Sequence, residues 1–316
     1  MPKVLRLAIA AVSLGLLANV APADEKKPKG LAEKEIADGW ISLFDGETTF
    51  GWKVDGEAKV KDGELIVGGE KKATLVTNAA FPEGELLCKS EGSPEAKVVR
   101  ESERFAIRVP AGQTVRFSQI AFRPSKLEPV FNGKDLAGWK LFKGDPKREL
   151  SKFDVTNAGE LHVANGPGDL QTEKQFADFA LQFECKTNGQ GLNSGIFFRC
   201  IANEYQNGYE AQIQNSYANG DRTKPIDGGT GAIYRRVPAR KVVSNDNEWF
   251  AMTVLAKGNH FATWVNGYQT ADWTDDRKPD DNPRKGLRTA AGHLSIQGHD
   301  KTTDILFRNI RAVEMK

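Results

Sequence analysis

The chain predicts an all-β protein, and three observations carry that prediction. Segments such as Arg104-Phe105-Ala106-Ile107-Arg108-Val109, Phe179-Ala180-Leu181-Gln182-Phe183-Glu184-Cys185 and Phe250-Ala251-Met252-Thr253-Val254 alternate with period two, the spacing that gives each sheet face every second side chain. Gly, Asn and Asp separate these segments at short intervals. Long amphipathic helical runs are absent. Many short strands joined by such turns point to a two-sheet sandwich or jelly roll.

The elements follow in order from the amino terminus. Lys3 and Arg6 precede an apolar run from Leu7 to Val20 and then Ala21-Pro22-Ala23, the form of a secretory signal peptide with a small-residue cleavage site. Residues 1–23 are therefore expected to be removed on export to the periplasm or exterior. The run falls short of the roughly 20 residues a membrane span needs, so no stable span is expected in the mature chain. No Cys follows it to carry a lipid anchor. Residues 24–39 read as a charged, Pro- and Gly-containing linker. Loss of residues 1–23 removes Lys3 and Arg6 and no acid, which takes the formal charge from +2 to zero. A neutral chain has no electrostatic claim on nucleic acid, and Arg235-Arg236 with Arg240-Lys241 reads as solvated loop charge.

A repeat divides the rest. Ser42-Leu43-Phe44-Asp45-Gly46 leads to Gly51-Trp52-Lys53, and Val130-Phe131-Asn132-Gly133 leads to Gly138-Trp139-Lys140 at the same spacing. Each copy continues into a Gly-Glu-Leu step, at Gly63-Glu64-Leu65 and at Gly159-Glu160-Leu161. A duplicated domain start accounts for this. Residues 40–126 have room for about eight short strands and read as a small β-sandwich, a degenerate repeat serving for carbohydrate contact, for packing or as a spacer. Residues 127–316 read as the larger jelly roll. The boundary is expected between Pro124 and Pro129, where X-Pro steps favour extended backbone.

Polar residues that could carry chemistry concentrate in the second half. In Tyr209-Glu210-Ala211-Gln212-Ile213-Gln214 the alternation puts Glu210, Gln212 and Gln214 on one face and Ala211 and Ile213 on the other. That gives either a groove floor suited to sugar hydroxyls or an ordinary solvated strand face. Asn193-Ser194-Gly195 turns into a strand ending at Arg199, whose fixed charge and rigid donor fork suit a carboxylate or an enolate oxygen, or a structural bridge to Glu210. His293, Ser295 and Gln297 share a face, and His299 follows in the turn Gln297-Gly298-His299-Asp300, where an imidazole serves as base or ligand near neutral pH. Trp264, Trp273 and Tyr268 offer sugar-stacking rings or core filling, and Asn266-Gly267 reads as a hairpin turn. Cys88, Cys185 and Cys200 lack metal-site spacing. Either Cys185 and Cys200 meet across two strands, or all three are small buried hydrophobes.

Taken in order, Asn193-Ser194-Gly195, Tyr209-Glu210-Ala211-Gln212, Gly231-Ala232-Ile233-Tyr234 and Gln297-Gly298-His299-Asp300 resemble the 3-keto-disaccharide hydrolases, also described as 3-keto-glucoside lyases and hydratases. The resemblance spans about Val130 to Met315. It implies a concanavalin A-like jelly roll and a 3-keto-glucoside as carbohydrate partner. It also implies catalytic roles for His299, Glu210 and Arg199, with His299 or Glu210 as base or metal ligand and Arg199 stabilising the enolate. Asn193, Gln212, Tyr234 and Gln297 become substrate contacts, and a divalent metal ion is implied. One departure stands out: many members carry Asp where this chain has Asn215, which leaves a metal role there unsupported.

Retaining glycosidases on this fold need two carboxylates about 5 Å apart, yet Glu210 is followed at alternate positions by amides. Glu204 and Asp221 lack the spacing to join it. A 3-keto sugar asks for less: one base, a stabiliser for the enolate and hydroxyl-binding groups. The expected activity is proton abstraction beside the ketone and β-elimination. The competing class is a non-catalytic carbohydrate-binding jelly roll.

Overall fold

Period-two alternation becomes twenty-two strands in the computed structural model, which describes residues 30–316. The expected signal segment 1–23 and residues 24–29 of the linker lie outside the described residues. The remainder of that linker is not merely solvated. Glu33–Ala37 forms a short helix, α1, opened by the Ala32 N–H donating to the Glu35 carboxylate at 2.8 Å. Leu31 and Ile36 rest on Gly267, where an added Cβ would stand 2.7 Å from Leu31 Cδ1. Apolar residues placed among the charges dock the segment.

The first sandwich comprises β1 (Ile41–Ser42), β2 (Trp52–Asp55), β3 (Ala58–Lys61), β4 (Glu64–Gly68), β5 (Ala73–Thr77), β6 (Gly84–Gly92), β7 (Lys97–Glu101), β8 (Arg104–Val109) and β9 (Thr114–Pro124). This is one strand more than the alternation predicts, because Ile41–Ser42 is too short to show a period. The second comprises β10 (Glu128–Pro129), β11 (Trp139–Leu141), β12 (Lys152–Val155), β13 (Leu161–Ala164), β14 (Gly168–Phe176), β15 (Phe179–Thr187), β16 (Ser194–Cys200) and β17 (Tyr209–Ile213). It continues with β18 (Phe250–Lys257), β19 (His260–Val265), β20 (Tyr268–Thr274), β21 (Gly292–Gly298) and β22 (Asp304–Glu314). Among the described residues no sheet contains strands from both sides of residues 125–127.

The sequence repeat is a structural repeat. Trp52 Nε1 donates to the Leu43 carbonyl and Trp139 Nε1 to the Val130 carbonyl, each nine residues back. The Asp45 carboxylate accepts from the N–H groups of Glu47 and Thr48, as the Asn132 side chain accepts from those of Lys134 and Asp135. In the first sandwich β1-β9-β4-β3, with β6 on the far edge of β9, faces β2-β5-β8-β7. In the second, β12-β13-β22-β15-β18-β19-β20, with β10 beside β22, faces β11-β14-β21-β16-β17.

Between the two sheets of the second sandwich lies a closed apolar core that includes Phe179, Phe198, Tyr209, Phe261 and Phe307. Outward-facing Ala180, Leu255, Ala262 and Trp264 of its larger sheet join the core of the first sandwich. Trp264 is 1% exposed, packs 6.1 Å from Phe81 and donates its indole N–H to Ser42 O at 2.8 Å. Arg240 pairs with Asp45 at 3.0 Å across the same seam and lies 4.0 Å over the Phe50 ring. The first sandwich is thus packed on the second through a shared core and is not a spacer. Among the described residues no helix is long and apolar enough to cross a membrane.

Candidate functional site

The five-stranded sheet β11-β14-β21-β16-β17 has one face in the core, and the alternation of each strand fixes what the other face carries. On β17, Ala211 and Ile213 enter the core, so Glu210 and Gln212 turn away from it. On β21 the core takes Leu294 and Ile296 and leaves Ser295 and Gln297; on β16 it takes Ile196 and Phe198 and leaves Phe197. Loops after β16 and β17, the segment before β21 and the turn after it build walls above this floor. They enclose a cavity of about 470 Å³, and Asn193, Glu210, Gln212, Tyr234, Gln297 and His299 all line it. Tyr234 is held there by its own N–H, which donates to Glu210 O at 2.9 Å.

Glu210 is the chemical centre of the floor. Its side chain is 7% exposed. Burial pushes its carboxyl up to about 8, aided by the negative charge of Asp227 and opposed by Arg284 and Arg235, with no hydrogen bond among the described residues to hold the ionised form. Such a group becomes a base close to neutral pH. Gly195 makes room for it, since an added Cβ there would lie 2.6 Å from Glu210 Oε1.

Around this base the polar groups are fixed by one another. Asp227 accepts from Asn193 Nδ2 at 2.7 Å, from Gln212 Nε2 at 3.3 Å and from the Tyr234 hydroxyl at 3.0 Å. It thereby ties together three of the expected substrate contacts. Gln297 Nε2 donates to Gln206 Oε1 at 3.1 Å. The amide oxygens of Gln212 and Gln297 are buried without a partner among the described residues, leaving acceptors for substrate hydroxyls. A second buried carboxyl, Asp169, lies opposite Gln297 on β14. Burial raises it to about 7, offset in part by hydrogen bonds from Gln171 and the Gln206 N–H. β14 and β17 are three strand intervals apart in this sheet, about 14 Å between backbones. Asp169 is not among the residues that line the cavity.

At the rim, His299 Nδ1 stands 2.9 Å from Asp300 Oδ2, which leaves Nε2 as the ring nitrogen free of that pairing. The Thr302 hydroxyl, with the Thr302 N–H and His299, holds the Asp300 carboxyl down to about 2. Arg235, Arg236 and Arg284 also line the cavity. The expectation that Arg235-Arg236 is solvated loop charge is therefore corrected for Arg236, which a loop hydrogen-bonded to β17 half-buries over the floor, while Arg235 beside it stays exposed. Only the resemblance at Gly231-Ala232-Ile233-Tyr234, just before the pair, could have pointed to it. Arg284 and Asp227 had no sequence signal of their own.

Arg199 is the expected catalytic residue that the structure removes. Period two from Phe197 would aim it into the cavity. A β-bulge between Phe197 and Cys200, with Arg199 at φ +52°, breaks that alternation. Its side chain is fully buried, donating to the carbonyls of Ala177, Gly258 and Arg288 and pairing with Asp178 at 2.9 Å, not with Glu210. Gln214 likewise turns to a structural task, donating to Gly191 O at 3.2 Å.

Asn215 lies in a buried network with Asp246, Thr230 and Ser244, so its departure from the family pattern does not touch the cavity. The aromatic trio offered as a stacking surface is absorbed elsewhere: Trp264 in the seam, Trp273 against Phe261 at 5.7 Å and Tyr268 beneath Arg240 at 5.2 Å. All three cysteines are free, with Cys185 and Cys200 buried and Cys88 half-buried. The implied metal ion would have to draw its ligands from Glu210, His299 and the amide oxygens of Gln212 and Gln297. Among the described residues no three of His, Cys, Asp and Glu converge on one point, and the anionic oxygens of Asp227 are occupied by Asn193, Gln212 and Tyr234.

A family model described as the 3-keto-alpha-glucoside-1,2-lyase-like domain matches residues 126–312. Among solved structures, a candidate glycosyl hydrolase of Parabacteroides distasonis ATCC 8503 is 23% identical over 60% of this chain and 94% of its own, with a TM-score of 0.48. A second from the same organism is 25% identical over 60% of this chain and all of its own, with a TM-score of 0.46. The carbohydrate-binding module CBM66 of Bacillus subtilis is 15% identical over 55% of this chain and 94% of its own, at 0.40. No curated protein matches the chain.

Proposed function

The chain belongs to the 3-keto-alpha-glucoside-1,2-lyase-like family, and from that premise we propose that its cavity cleaves 3-keto-glucosides by β-elimination. The observation that carries this reading is Glu210: among the described residues it is a buried carboxyl with no hydrogen-bond partner, and no other carboxylate lines the cavity. Direct displacement at the anomeric carbon requires a pair of acids. Elimination requires one base.

The steps follow from the groups present. The Glu210 carboxylate takes the proton from C2, and the electrons of that bond form the C2–C3 enolate, whose oxygen faces the Arg284 guanidinium. As the enolate collapses, the C1–C2 double bond forms and the C1–O bond breaks. The departing oxygen takes a proton from a water held at the rim by His299 Nε2, which leaves hydroxide there. Asn193, Gln212, Tyr234 and Gln297 hold the ring hydroxyls. That hydroxide then adds to C1 and protonated Glu210 gives its proton back to C2, so the net result is hydrolysis. The steps use the chain's own groups and none is assigned to a metal.

The test is incubation of the purified protein with a 4-nitrophenyl 3-keto-glucoside and with the unoxidised glucoside, following enone absorbance and released nitrophenol. Turnover of the keto substrate alone is the expected result. Equal turnover of both would make the protein an ordinary glycosidase. Tight binding of either without turnover would make it a carbohydrate-binding jelly roll. We propose in addition that the chain is exported with residues 1–23 removed; a secreted form beginning at Asp24 would be found by amino-terminal sequencing, and a mature form retaining Lys3 and Arg6 would overturn this.

A further inference from the structure

Three guanidinium groups from two separate loops converge on the cavity: Arg235 and Arg236 behind β17, and Arg284 ahead of β21. Arg277, in the same segment as Arg284, pairs with Asp275 at 2.7 Å. None of the cavity's three forms an ion pair with a carboxylate among the described residues. They are held in place instead. Arg236 Nη2 donates to Arg284 O at 2.9 Å, Arg284 Nη2 donates to Gln206 O at 2.6 Å, and Arg235 stands 5.2 Å from the Tyr234 ring centroid. Main-chain carbonyls orient a cation without neutralising it.

The charges facing these arginines are few. Glu210 lies beneath them and is substantially protonated at neutral pH, and the Asp227 oxygens already serve Asn193, Gln212 and Tyr234. Burial and then the neighbouring positive charge of Arg277 make the Arg236 guanidinium less basic than usual, and the negative charge of Asp275, already paired with Arg277, offsets this only in part. An enolate oxygen occupies one guanidinium. Two remain, with forks suited to an oxyanion.

Resting on the reading of this cavity as the lyase site, we infer that its substrate is an anionic 3-keto sugar, whose carboxylate or sulfate is held by Arg235 and Arg236. The shared chemistry is a compact oxyanion carried on the sugar or on its leaving group.

The experiment separates binding from turnover. Titration calorimetry at low salt compares methyl glucoside, methyl glucuronide and methyl glucoside 6-sulfate, each as both anomers. At least one of the two anionic probes is expected to bind about tenfold tighter than the neutral sugar or better, and which one does so identifies the anion. Arg235 is exposed and its side chain makes no hydrogen bond among the described residues, so Arg235→Gln should fold with an unchanged melting temperature and lose most of that preference, and 0.5 M salt should weaken it likewise by screening a solvent-accessible cation (about 4 Å screening length). Anionic sugars that bind no tighter than the neutral one, undetectable binding included, overturn the inference. So does a preference that survives both Arg235→Gln and Arg236→Gln. Turnover of the 3-keto-glucoside is read separately: its absence sinks the lyase reading, while the binding comparison still decides the charge preference.

Discussion

The two sandwiches are the same fold with and without a site. All seven strand pairings of the first recur in the second: β1–β9, β3–β4, β4–β9, β6–β9, β2–β5, β5–β8 and β7–β8 correspond to β10–β22, β12–β13, β13–β22, β15–β22, β11–β14, β14–β21 and β16–β21. They part company at one connection. β7 turns into β8 through the tight Glu101–Arg104 hairpin, whereas residues 201–291 separate β16 from β21 and add β17 to β20. That insertion supplies Glu210, Gln212, Asp227, Tyr234 and the three cavity arginines. Fold and chemistry are therefore separable here, the chemistry being carried on one enlarged connection.

The comparison breaks first at Glu210, which has no counterpart in the first sandwich. Glu210→Gln should lower kcat/KM by about a thousandfold if this carboxylate is the base. The wild-type rate should rise with pH through about 8, where the group ionises, and the variant should lose that limb. Stability moves the other way. The folded pKa lies above the ordinary value of 4.5, so the folded chain keeps a proton that the unfolded chain releases. This contribution is complete below 4.5 and is lost as pH rises through 8. At pH 9 the variant should melt several degrees above the wild type, and the two should converge in acid. A variant that is both inactive and less stable at pH 9 would mark Glu210 as structural.

The seam gives the complementary result. Trp264→Ala removes a side chain buried between the sandwiches and should destabilise the protein by about 3–5 kcal/mol, as other Trp→Ala core changes do. Because Trp264 lies on the face of the large sheet away from the core and the cavity, kcat/KM measured well below the new Tm should change less than about twofold. A large loss of activity in the still-folded variant would show that the first sandwich takes part in the chemistry.

What the sequence made legible follows the same division. Strand faces were readable wherever alternation was unbroken, which is why Glu210, Gln212 and Gln297 fall where period two places them. Arg199 failed for one local reason, a bulge with left-handed backbone that a pattern of alternating residues does not encode. Asp227, Arg284 and Arg236 were beyond reach because their positions depend on where loops of the insertion land, a matter of tertiary contact rather than spacing. The repeat was visible because the Trp indole bond and the Asx turn are local, nine residues or fewer apart, and local interactions leave local signatures.

Room for the base is a finer difference between the sandwiches. Gly195 lies opposite Gln212 on β16, next to Glu210, where an added Cβ would intrude on the carboxylate at 2.6 Å. Gly195→Ala should keep the fold, since its φ is not in the left-handed region, and should lower kcat by about tenfold by displacing the base. An unchanged rate would mean that the carboxylate has space to move and that its place is set elsewhere.

The smallest expected effect is the most discriminating one for the insertion. Asp227 adopts φ +51°, a backbone conformation that Asp tolerates better than most residues, and from there it gathers Asn193, Gln212 and Tyr234. In the reaction as written it touches no reacting atom, so it is a positioning residue. Asp227→Ala should then raise KM by roughly three- to tenfold through loosened hydroxyl contacts, with kcat nearly unchanged. Removing its negative charge also relieves part of what raises Glu210, so the midpoint of the rising pH limb should move below about 8. Asp227→Asn keeps an acceptor in place and should restore most of the KM while retaining the shifted midpoint. If instead both variants lose kcat without any change in KM or in the pH limb, Asp227 acts on the chemistry directly, and the separation of binding from base within the insertion would have to be redrawn.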